Sequence, residues 1–560
     1  MMQHPAIAAY PAPDSLRRDL PLWAFGLEGS WLSRHLAGQL AALAAGQPKF
    51  SGIAARLAAW NFERAPLDPA FAAAARAAGR VLGEAPARRS LLRELGRRLR
   101  RPANTRDFAA LAEAPDPGPA LALLERGLAD PADGLYWCGR GFAFALARGM
   151  AELARDIAAR LGSDPALAPL GARLAAEAAL AWDGPPAVQA ALAQLDQACF
   201  PRFAALATAA GLAETGDTDG AAAVLARLWA TENWHPDLTA RLHALLCPPA
   251  PAALDALPGR LHVFVYTWNR AGLLGRTLAS LADSRLGPAR VTVLDNGSTD
   301  DTAAVCRSLA ARFAPKRFAV VRLPVNVGAP AARNWLARTA GLGPDDLAAY
   351  VDDDVSLPPD WLERLAAALA ADRTADVAGA RIVAAAPGAA RMAQAADVRL
   401  LPPDAAHSVR PLVNYGPGPD LGLLAALRPC ASVSGCCHLF RGRALAGPAP
   451  FDLRFSPSQF DDLARDLTGF LAGGRAVYAG TLAVGHHQHA GPGQARSAAA
   501  VGQLLGARTK LDGLFSREQM AVAARRDLDT AWEALMAGWR AVRQRVAENS
   551  PANRADTAGD

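Results

Sequence analysis

One stretch of the chain, residues 261–300, reads LHVFVYTWNRAGLLGRTLASLADSRLGPARVTVLDNGSTD. It begins with a short β-rich run, continues through a segment with apolar residues at helical spacing, and ends in a second β-rich run. The alternation continues downstream, with further apolar runs at 318–323 and 347–352 and a helical pattern at 331–339. Strands that alternate with helices predict a mostly parallel sheet with helices on its faces. We therefore expect a Rossmann-like α/β domain over residues 260–495.

The sequence before this domain has a different pattern. Residues from about 15 to 248 show helical periodicity, with breaks at Pro, Gly and Asp-Pro. Within them, residues 206–246 predict a helix, a Gly-Asp turn, a second helix and, after a proline, a third, which is typical of tetratricopeptide (TPR) repeats. We expect an all-α N-terminal region at 1–105 followed by TPR-like repeats at 106–248, whose surface offers a place for a protein partner.

Composition predicts two further boundaries. The proline-rich run CPPAPAALDALPGR begins at residue 247 and has no apolar period, so we expect a linker at 249–259. After about residue 495 the helical pattern returns, which predicts short C-terminal helices at 496–550. The last residues, 551–560, read PANRADTAGD and are expected to form a disordered tail.

Composition also excludes several classes of protein. With 51% hydrophobic and 20% charged residues, the chain is not intrinsically disordered over most of its length. No stretch approaches the roughly 18 apolar residues that a membrane-spanning helix needs, and no signal peptide is evident, so we expect a cytoplasmic protein. A net charge of +6 over 560 residues is too small to indicate a nucleic-acid partner. Seven cysteines without a CxxC pair indicate neither a disulfide framework nor a zinc ribbon.

One basic segment has two interpretations. Residues 88–101, RRSLLRELGRRLRR, predict an amphipathic helix with leucines on one side and arginines on the rest of its surface. Such a helix can lie on an anionic membrane or bind an acidic partner, but more often it is the solvated face of a packed helix. The sequence leaves peripheral contact with the inner face of the membrane open.

Three polar clusters follow the predicted strands, where ligands bind in open α/β sheets. They are Thr267–Arg270, Asp295–Asp300 and Asp352–Asp354. Three consecutive carboxylates repel one another and are costly without a cation. Asp352 and Asp354 point the same way from an extended backbone, which suits a hard divalent ion with oxygen ligands. No glycine-rich phosphate loop is present, so we expect a nucleotide whose diphosphate is held through a metal.

The motifs TWNR, VLDNGSTDDT, NVGAPAARN and YVDDDVSLPPDWLE, in this order and spacing, resemble those of family 2 glycosyltransferases with the GT-A fold. The resemblance covers about residues 261–491. It implies a metal-dependent inverting enzyme that moves a sugar from a nucleotide-sugar donor to an acceptor hydroxyl. The implied cofactor is Mn²⁺ or Mg²⁺, and the implied acceptor is a polysaccharide, a lipid-linked glycan or a protein.

The resemblance also implies roles for individual residues. Asp295 matches the residue that reads the donor's nucleobase, and Asp352 matches the first residue of a DxD motif, close to the ribose. The metal ligands implied by the resemblance are Asp354, Asp352 and His486. The donor-binding residues that we expect are Thr267, Asn269, Arg270, Asp295, Asn296, Arg333, Asn334, Asp352 and Asp353.

The catalytic base is expected further along, in QFDDLARDLTGFLAGGRAVYAGTLAVGHHQH at residues 459–489. Matching Tyr478 to the family's tyrosine places its acidic pair on Asp461 and Asp462. Asp462 is then the implied base that takes the proton of the acceptor hydroxyl, with Asp461 beside it. Ala464 replaces a second acidic residue of the family motif, and a register slip of one residue would make Asp461 the base.

Two other functions were weighed. The first is a helical-repeat scaffold with a degenerate transferase domain, and the intact Asp295, Asp352, Asp354 and Asp462 argue against it. The second is a nucleotidyltransferase, which shares metal carboxylates on a similar sheet. It would need a basic phosphate signature after the first strand, and TWNRAGLLGRT offers none.

Overall fold

The computed structural model describes most of the chain. The described residues are 13–103, 105–416, 418–447, 450–487 and 498–548. The predicted tail at 551–560 and His489, the last histidine of the HHQH segment, lie outside them. Within these ranges no helix is both long and apolar enough to cross a membrane.

The region before the sheet is all-helical, as the periodicity predicts. Its helices are α1 (Pro13–Asp19), α2 (Ser30–Gly46), α3 (Ser51–Arg64), α4 (Pro69–Leu82), α5 (Pro86–Arg98), α6 (Arg106–Glu113), α7 (Gly118–Ala129), α8 (Gly134–Arg148), α9 (Ala151–Gly162), α10 (Ala168–Trp182), α11 (Pro185–Ala193), α12 (Pro201–Glu214), α13 (Thr218–Glu232) and α14 (Pro236–Leu246).

Local sequence explains where many of these helices begin. Proline is the first residue of α4, α5, α11, α12 and α14, a position where its fixed φ is favourable and its missing N–H is not needed. The turn predicted before α13 is present, and the Asp217 side chain caps that helix by accepting a hydrogen bond from the Gly220 amide. Consecutive helices then pack against each other, which buries their small apolar residues.

The α/β part contains a ten-stranded mixed sheet and a separate two-stranded sheet. The strands are β1 (Leu261–Thr267), β2 (Arg290–Asp295), β3 (Phe318–Arg322), β4 (Leu347–Val351), β5 (Val355–Ser356), β6 (Ala375–Ala384), β7 (Ala393–Ala395), β8 (Val398–Leu401), β9 (Arg410–Val413), β10 (Leu427–Cys430), β11 (Cys437–Arg441) and β12 (Arg475–His486). The helices of this part are α15 (Ala271–Ala282), α16 (Thr302–Ala310), α17 (Ala329–Ala340), α18 (Trp361–Ala371) and α19 (Asp461–Leu471).

The strand order is β10-β12-β6-β11-β4-β1-β2-β3, with β5 paired to β12 and β7 paired to β6. Neighbours among β4, β1, β2 and β3 are parallel, and β12 is parallel to β6. Strand β11 runs antiparallel between β4 and β6. The predicted α/β class is therefore confirmed. The sheet is mixed, because β5, β7 and β10 also pair with their neighbours in antiparallel orientation. All five residues of β4 are buried, as expected of a central strand that is covered on both faces.

The helical region packs directly against the α/β part. Leu254, inside the proline-rich segment, is buried in the apolar core of the sheet. Two C-terminal helices, α20 (Ala498–Leu514) and α21 (Arg517–Glu548), follow the sheet. Trp532 of α21 joins the apolar cluster that contains Trp23 and Trp229 of the helical region. The helical region, the sheet and the C-terminal helices thus share one continuous packing interface.

A buried ion pair network crosses this interface. Arg428 of β10 donates to Asp237 of α14 at 2.8 Å and to Asp397, just before β8, at 2.6 Å. Both carboxylates are almost completely buried. Arg399 continues the network, because its guanidinium lies 3.8 Å from Asp397 and 3.5 Å from Asp527 of α21.

Replacing Arg428 should destabilise the whole chain. Arg428→Met keeps much of the apolar stem but leaves Asp237 and Asp397 buried without their shared cation, so we expect the free energy of unfolding to fall by about 3–5 kcal/mol. Urea unfolding followed by circular dichroism measures this. Arg155→Met, which removes an exposed ion pair with Asp183, is the matched control and should cost less than about 1 kcal/mol. Equal effects of the two substitutions would contradict the interpretation.

Candidate functional site

The carboxyl ends of β1, β2 and β4 bring the three predicted polar clusters to one edge of the sheet. Thr267 and Asp295 are paired residues at the ends of β1 and β2. The backbone amide of Asn296 donates to the Thr267 carbonyl at 2.9 Å. Asp353 and Asp354, which follow β4, are both buried. Residues that are up to 87 positions apart in sequence therefore meet in one cluster.

Arg270 provides a positive charge beside the three consecutive aspartates Asp352–Asp354, which we call the acidic run. Its Nη1 lies 2.9 Å from Oδ2 of Asp354 and 3.2 Å from Oδ1 of Asp353. The Thr267 hydroxyl donates to the other oxygen of Asp353 at 2.6 Å. Burial raises the pKa of Asp353 to about 6, although Arg270 lowers it. The Arg270 side chain is 41% exposed, so its guanidinium can also reach a ligand above the cluster.

A second arginine, Arg333 of α17, links the strand ends to the acidic pair. Its Nη1 forms a 2.6 Å ion pair with Asp461, and its Nη2 donates to the Tyr266 hydroxyl at 2.7 Å. Tyr266 in turn donates to Asp352 at 2.7 Å. Burial raises the pKa of both carboxyl groups, and Arg333 acts against that rise. One buried cation thus connects Asp352 with the start of α19.

The two residues of the acidic pair have different environments. Asp461 is buried and ion-paired to Arg333. Asp462 is only partly buried, and its Oδ2 accepts a hydrogen bond from the Gly435 amide at 3.0 Å. A Cβ at Gly435 would lie 2.6 Å from that oxygen and 3.0 Å from Nη2 of Arg333, so any larger residue would displace the Asp462 carboxylate from this contact. Within the described part of the chain Asp462 forms no ion pair, and its Oδ1 accepts a hydrogen bond from the Leu463 amide at 2.8 Å.

His486, at the end of β12, faces the acidic run. Its Nε2 lies 3.5 Å from Oδ1 of Asp354, and its Nδ1 lies 2.9 Å from Oε1 of Gln394 in β7. Because an amide oxygen only accepts hydrogen bonds, Nδ1 donates to Gln394, and Nε2 is the ring nitrogen that faces the Asp354 carboxylate. Two electron-pair donors at this distance suit a shared cation.

The other described histidine of the HHQH segment is engaged in hydrogen bonds. The ring nitrogens of His487 contact the Ser356 hydroxyl and the Ala385 carbonyl, and its backbone amide donates to the Asp354 carbonyl. These contacts fix the end of β12 beside the acidic run. His487 therefore supports the position of His486 rather than facing the same space.

The side chains that could bind a metal beside the acidic run are consistent with Mg²⁺ or Mn²⁺. Among the residues that the structure describes, no three His, Cys, Asp or Glu side chains form a ready-made metal site. Asp354 and His486 would supply two ligands, whereas Asp352, the third predicted ligand, accepts a hydrogen bond from the Tyr266 hydroxyl at 2.7 Å. Mg²⁺ commonly binds through one or two carboxylates together with substrate phosphates and water, rather than in an all-protein cage. The residues present therefore fit a divalent ion that is shared with a bound diphosphate.

The remaining predicted donor residues form the rim beside β2. Asp295 accepts a hydrogen bond from the Ser298 amide at 2.8 Å, and its other oxygen lies 3.5 Å from the Arg322 guanidinium. Asn269 adopts a positive φ of 52°, and its side-chain oxygen accepts a hydrogen bond from the Thr299 amide. These contacts tie the loop after β1 to the loop after β2.

Two predicted donor residues make other contacts. The side-chain amide of Asn296 bonds Asn326 and the backbone amide of Val327, so it positions the segment before α17. The Asn334 amide makes both of its hydrogen bonds to the backbone of Phe451, at 2.7 and 3.0 Å. The structure does not bring Asn334 into contact with the acidic cluster through these bonds.

Three residues that the sequence analysis did not single out contribute to the site: Tyr266, Gln394 and Asp466. Tyr266 could have been noticed, because it is a hydroxyl-bearing residue near the end of a buried apolar strand. Gln394 lies in a short strand without any motif, so nothing in the sequence marks it. Asp466 lies one helical turn after Asp462 and accepts a hydrogen bond from the Ser432 hydroxyl at 2.6 Å.

The buried carboxyl group of Asp466 predicts a pH-dependent stability. Burial raises its pKa to about 7, against about 3.9 in an unfolded chain. Between these values the folded state binds the extra proton, so this group makes the protein less stable as pH rises toward 7. Asp466→Asn removes the titration. Relative to the wild type, the variant should therefore gain up to about 1.4 kcal/mol per pH unit between pH 5 and pH 7.

Urea unfolding at pH 5, 6, 7 and 8 tests this prediction. Asp360→Asn, at a partly exposed carboxylate that pairs with Arg364, is the control and should not show the trend. Parallel stability profiles for Asp466→Asn and the wild type would show that Asp466 does not titrate in this range.

Comparisons with known proteins agree with the motifs. The sequence model of "Glycosyl transferase family 2" matches residues 262–442, about a third of the chain. The chain is 37% identical over 131 residues to validoxylamine A glucosyltransferase of Streptomyces hygroscopicus subsp. limoneus. That match covers 23% of this chain and 28% of the relative, so the chain spans under a third of the relative's length.

Solved structures are similar at low identity. One is GalNAc-T7 with UDP, GalNAc and Mn²⁺, at 17% identity and a TM-score of 0.35, covering 45% of this chain and 47% of the other. Another is the mannosyltransferase PcManGT from Pyrobaculum calidifontis with GDP-Man and Mn²⁺, at 19% identity and a TM-score of 0.34, covering 63% and 90%. The family match rests on the sequence, and residues 262–442 form a glycosyl transferase family 2 domain.

Proposed function

We propose that this protein is a metal-dependent inverting glycosyltransferase, which moves a sugar from a nucleoside-diphosphate donor to an acceptor hydroxyl. One backbone segment, Ser434–Cys437, supports this proposal most directly. The Cys436 carbonyl accepts a hydrogen bond from the Asp352 amide at 2.9 Å, and the Gly435 amide donates one to the Asp462 carboxylate at 3.0 Å. Asp352 at the strand end and the Asp462 carboxylate therefore flank the same segment, as a reaction between a diphosphate sugar and a hydroxyl requires.

The donor side is assigned to the strand ends of β1, β2 and β4. Asp295 and Thr267 lie where the nucleoside would bind, and the exposed guanidinium of Arg270 is close enough to the acidic run to contact phosphate oxygens. Asp354 and His486 would hold the divalent ion. When bound, Mn²⁺ or Mg²⁺ offsets the negative charge that develops on the departing nucleoside diphosphate.

The proton-transfer step is assigned to Asp462. Its carboxylate removes the proton from the acceptor hydroxyl while that oxygen attacks the anomeric carbon and the bond to the diphosphate breaks. A single displacement of this kind inverts the anomeric configuration. Asp461 is the poorer candidate because its carboxylate is buried and one of its oxygens is occupied by the 2.6 Å ion pair with Arg333.

The acceptor is assigned only by class: a polysaccharide, a lipid-linked glycan or a protein. The helical region borders the segment that leads into β7. Arg391 donates to the carbonyls at the end of α10, and the Trp182 indole donates to the Gly388 carbonyl. Three residues after Arg391, Gln394 holds His486. These contacts support a contribution of the helical region to acceptor or protein-partner binding beside the site.

The order of two variants tests the base. Asp462→Asn keeps the size of the side chain but removes its basicity, so turnover should fall by about 10²–10⁴ with donor affinity unchanged. Asp461→Asn should reduce turnover less than Asp462→Asn does. It should destabilise the fold more, because it leaves the Arg333 cation without its buried partner. Turnover and affinity are measured with the nucleotide sugar that a hydrolysis screen identifies. An inactive Asp461→Asn beside an active Asp462→Asn would move the base to Asp461.

The metal assignment is tested by binding. Asp354→Asn should abolish the Mn²⁺-dependent part of the affinity for UDP or GDP, since one of two protein ligands is lost. Titration calorimetry with and without Mn²⁺ measures this, with Asp360→Asn as the surface control. Gln394→Leu, which removes the acceptor that orients His486, should weaken Mn²⁺ binding by roughly 10- to 100-fold, whereas Gln394→Glu should retain it. Unchanged Mn²⁺ dependence in Asp354→Asn would remove Asp354 from the site.

A further inference from the structure

One short segment carries the whole net positive charge of the protein. Between residues 76 and 101 there are nine arginines and two glutamates, a net charge of +7. The complete chain carries +6, so the rest of the chain sums to −1. Outside this segment, taken as a whole, acidic residues therefore balance the basic ones.

The structure gathers these arginines on adjacent helices. Arg76 and Arg80 lie one turn apart on α4. On α5, Arg89, Arg93 and Arg97 follow one another at four-residue intervals, and Arg100 continues the same side beyond the helix end. All six side chains are exposed. We call these six arginines the basic surface.

The two helices form one continuous surface rather than two separate stripes. The Arg76 guanidinium lies across α5 at Gly96, where a Cβ would meet it directly. On the opposite side of α5, Leu91, Leu92 and Leu95 are buried in the apolar core of the helical region. The apolar side of the predicted amphipathic helix is therefore used for packing, and its basic side remains available.

Few acidic groups balance this charge. Glu94 pairs with Arg97 and Arg98, and Arg98 also pairs with Asp164. Within the part of the chain that the structure describes, Arg76, Arg80, Arg93 and Arg100 form no ion pair. Concentrated like charge of this kind disfavours the compact state, so the arrangement gives no benefit to folding that would explain it.

We propose that the basic surface docks the protein on an anionic lipid bilayer. The 13-residue α5 gives the surface a length of about 20 Å, which can contact several lipid phosphates at once. Arginine binds phosphate oxygens through two donors of its fork. Val81, which follows Arg80, is 61% exposed and adds an apolar side chain at the edge of the surface.

The sequence around the basic surface favours lipid over nucleic acid. Proteins that bind single-stranded nucleic acids combine a basic groove with aromatic side chains on which bases stack. No aromatic residue occurs between positions 72 and 107, and the arginines lie on the outer faces of two helices. Docking of this kind goes beyond the proposed reaction and does not depend on it.

Vesicle co-sedimentation of the full chain tests the proposal. Wild-type protein should bind vesicles of phosphatidylcholine with 30% phosphatidylglycerol, and not phosphatidylcholine alone. Binding should weaken as NaCl rises from 50 to 500 mM, because salt screens the attraction. Each arginine near an anionic surface contributes about fivefold, so the combined substitution of Arg76, Arg80, Arg93, Arg97 and Arg100 by Gln should reduce binding at least 100-fold.

A matched variant controls for net charge. Substituting Gln at five exposed arginines of the α/β part lowers the net charge equally and should change vesicle binding by less than threefold; these are Arg276, Arg307, Arg317, Arg338 and Arg373. Both variants should retain the thermal stability of the wild type and its hydrolysis of nucleotide sugar in solution. The reaction and the docking are thus tested separately.

Three results would overturn the proposal. The first is equal binding of wild-type protein to neutral and anionic vesicles. The second is an equal loss of binding in the two five-residue variants. The third is wild-type binding to a 20-base-pair DNA or a single-stranded RNA that is tighter than to anionic vesicles and is lost in the basic-surface variant. A double variant, Arg93→Gln with Arg100→Gln, should still show a loss of more than tenfold and provides the answer if the larger variant misfolds.

Discussion

The buried guanidinium of Arg333 is the interaction on which the arrangement of the site depends. A buried cation is stable only when anionic or hydrogen-bonding partners surround it. Here the partners are Asp461 and Tyr266, and the Tyr266 hydroxyl in turn donates a hydrogen bond to Asp352. The need to neutralise one charge therefore holds together the ends of β1 and β4 and the start of α19. The same contact distinguishes the two members of the acidic pair, since it engages Asp461 and leaves Asp462 to the Gly435 amide.

Much of the fold could be predicted because local sequence patterns specify its helices and strands. Alternation of apolar runs with helical periods gave β1, β2, β3 and β4 with their helices, and the polar clusters at strand ends gave the location of the candidate site. The antiparallel insertion of β11 between β4 and β6 could not be predicted, because it depends on pairing between segments far apart in sequence. Gln394 was missed for the same reason: its role comes only from the position of His486, which lies 92 residues away.

The structure also changes how the proline-rich segment is understood. A run of prolines without apolar period resembles a flexible connection, yet Leu254 is buried and Arg428 joins the two regions through buried carboxylates. The sequence could not predict this, because the partners Asp237 and Asp397 carry no motif and lie on different elements. The helical region and the sheet are therefore packed as one body, and the end of α10 holds the segment that leads to Gln394. A change at the end of α10 can therefore be transmitted through this segment to Gln394 and to His486, the proposed metal ligand.

Gly435 has a consequence for related sequences. Even alanine at this position would push against both Asp462 and Arg333, the two groups that meet there. If Asp462 is the base, as proposed, selection for catalysis keeps glycine at this position and its loss removes that constraint. A related chain with a side chain here is then expected to keep the architecture and to lose the reaction, even where its aspartates are intact. Under the proposed mechanism, this backbone position is an indicator of catalysis that is independent of the acidic motifs.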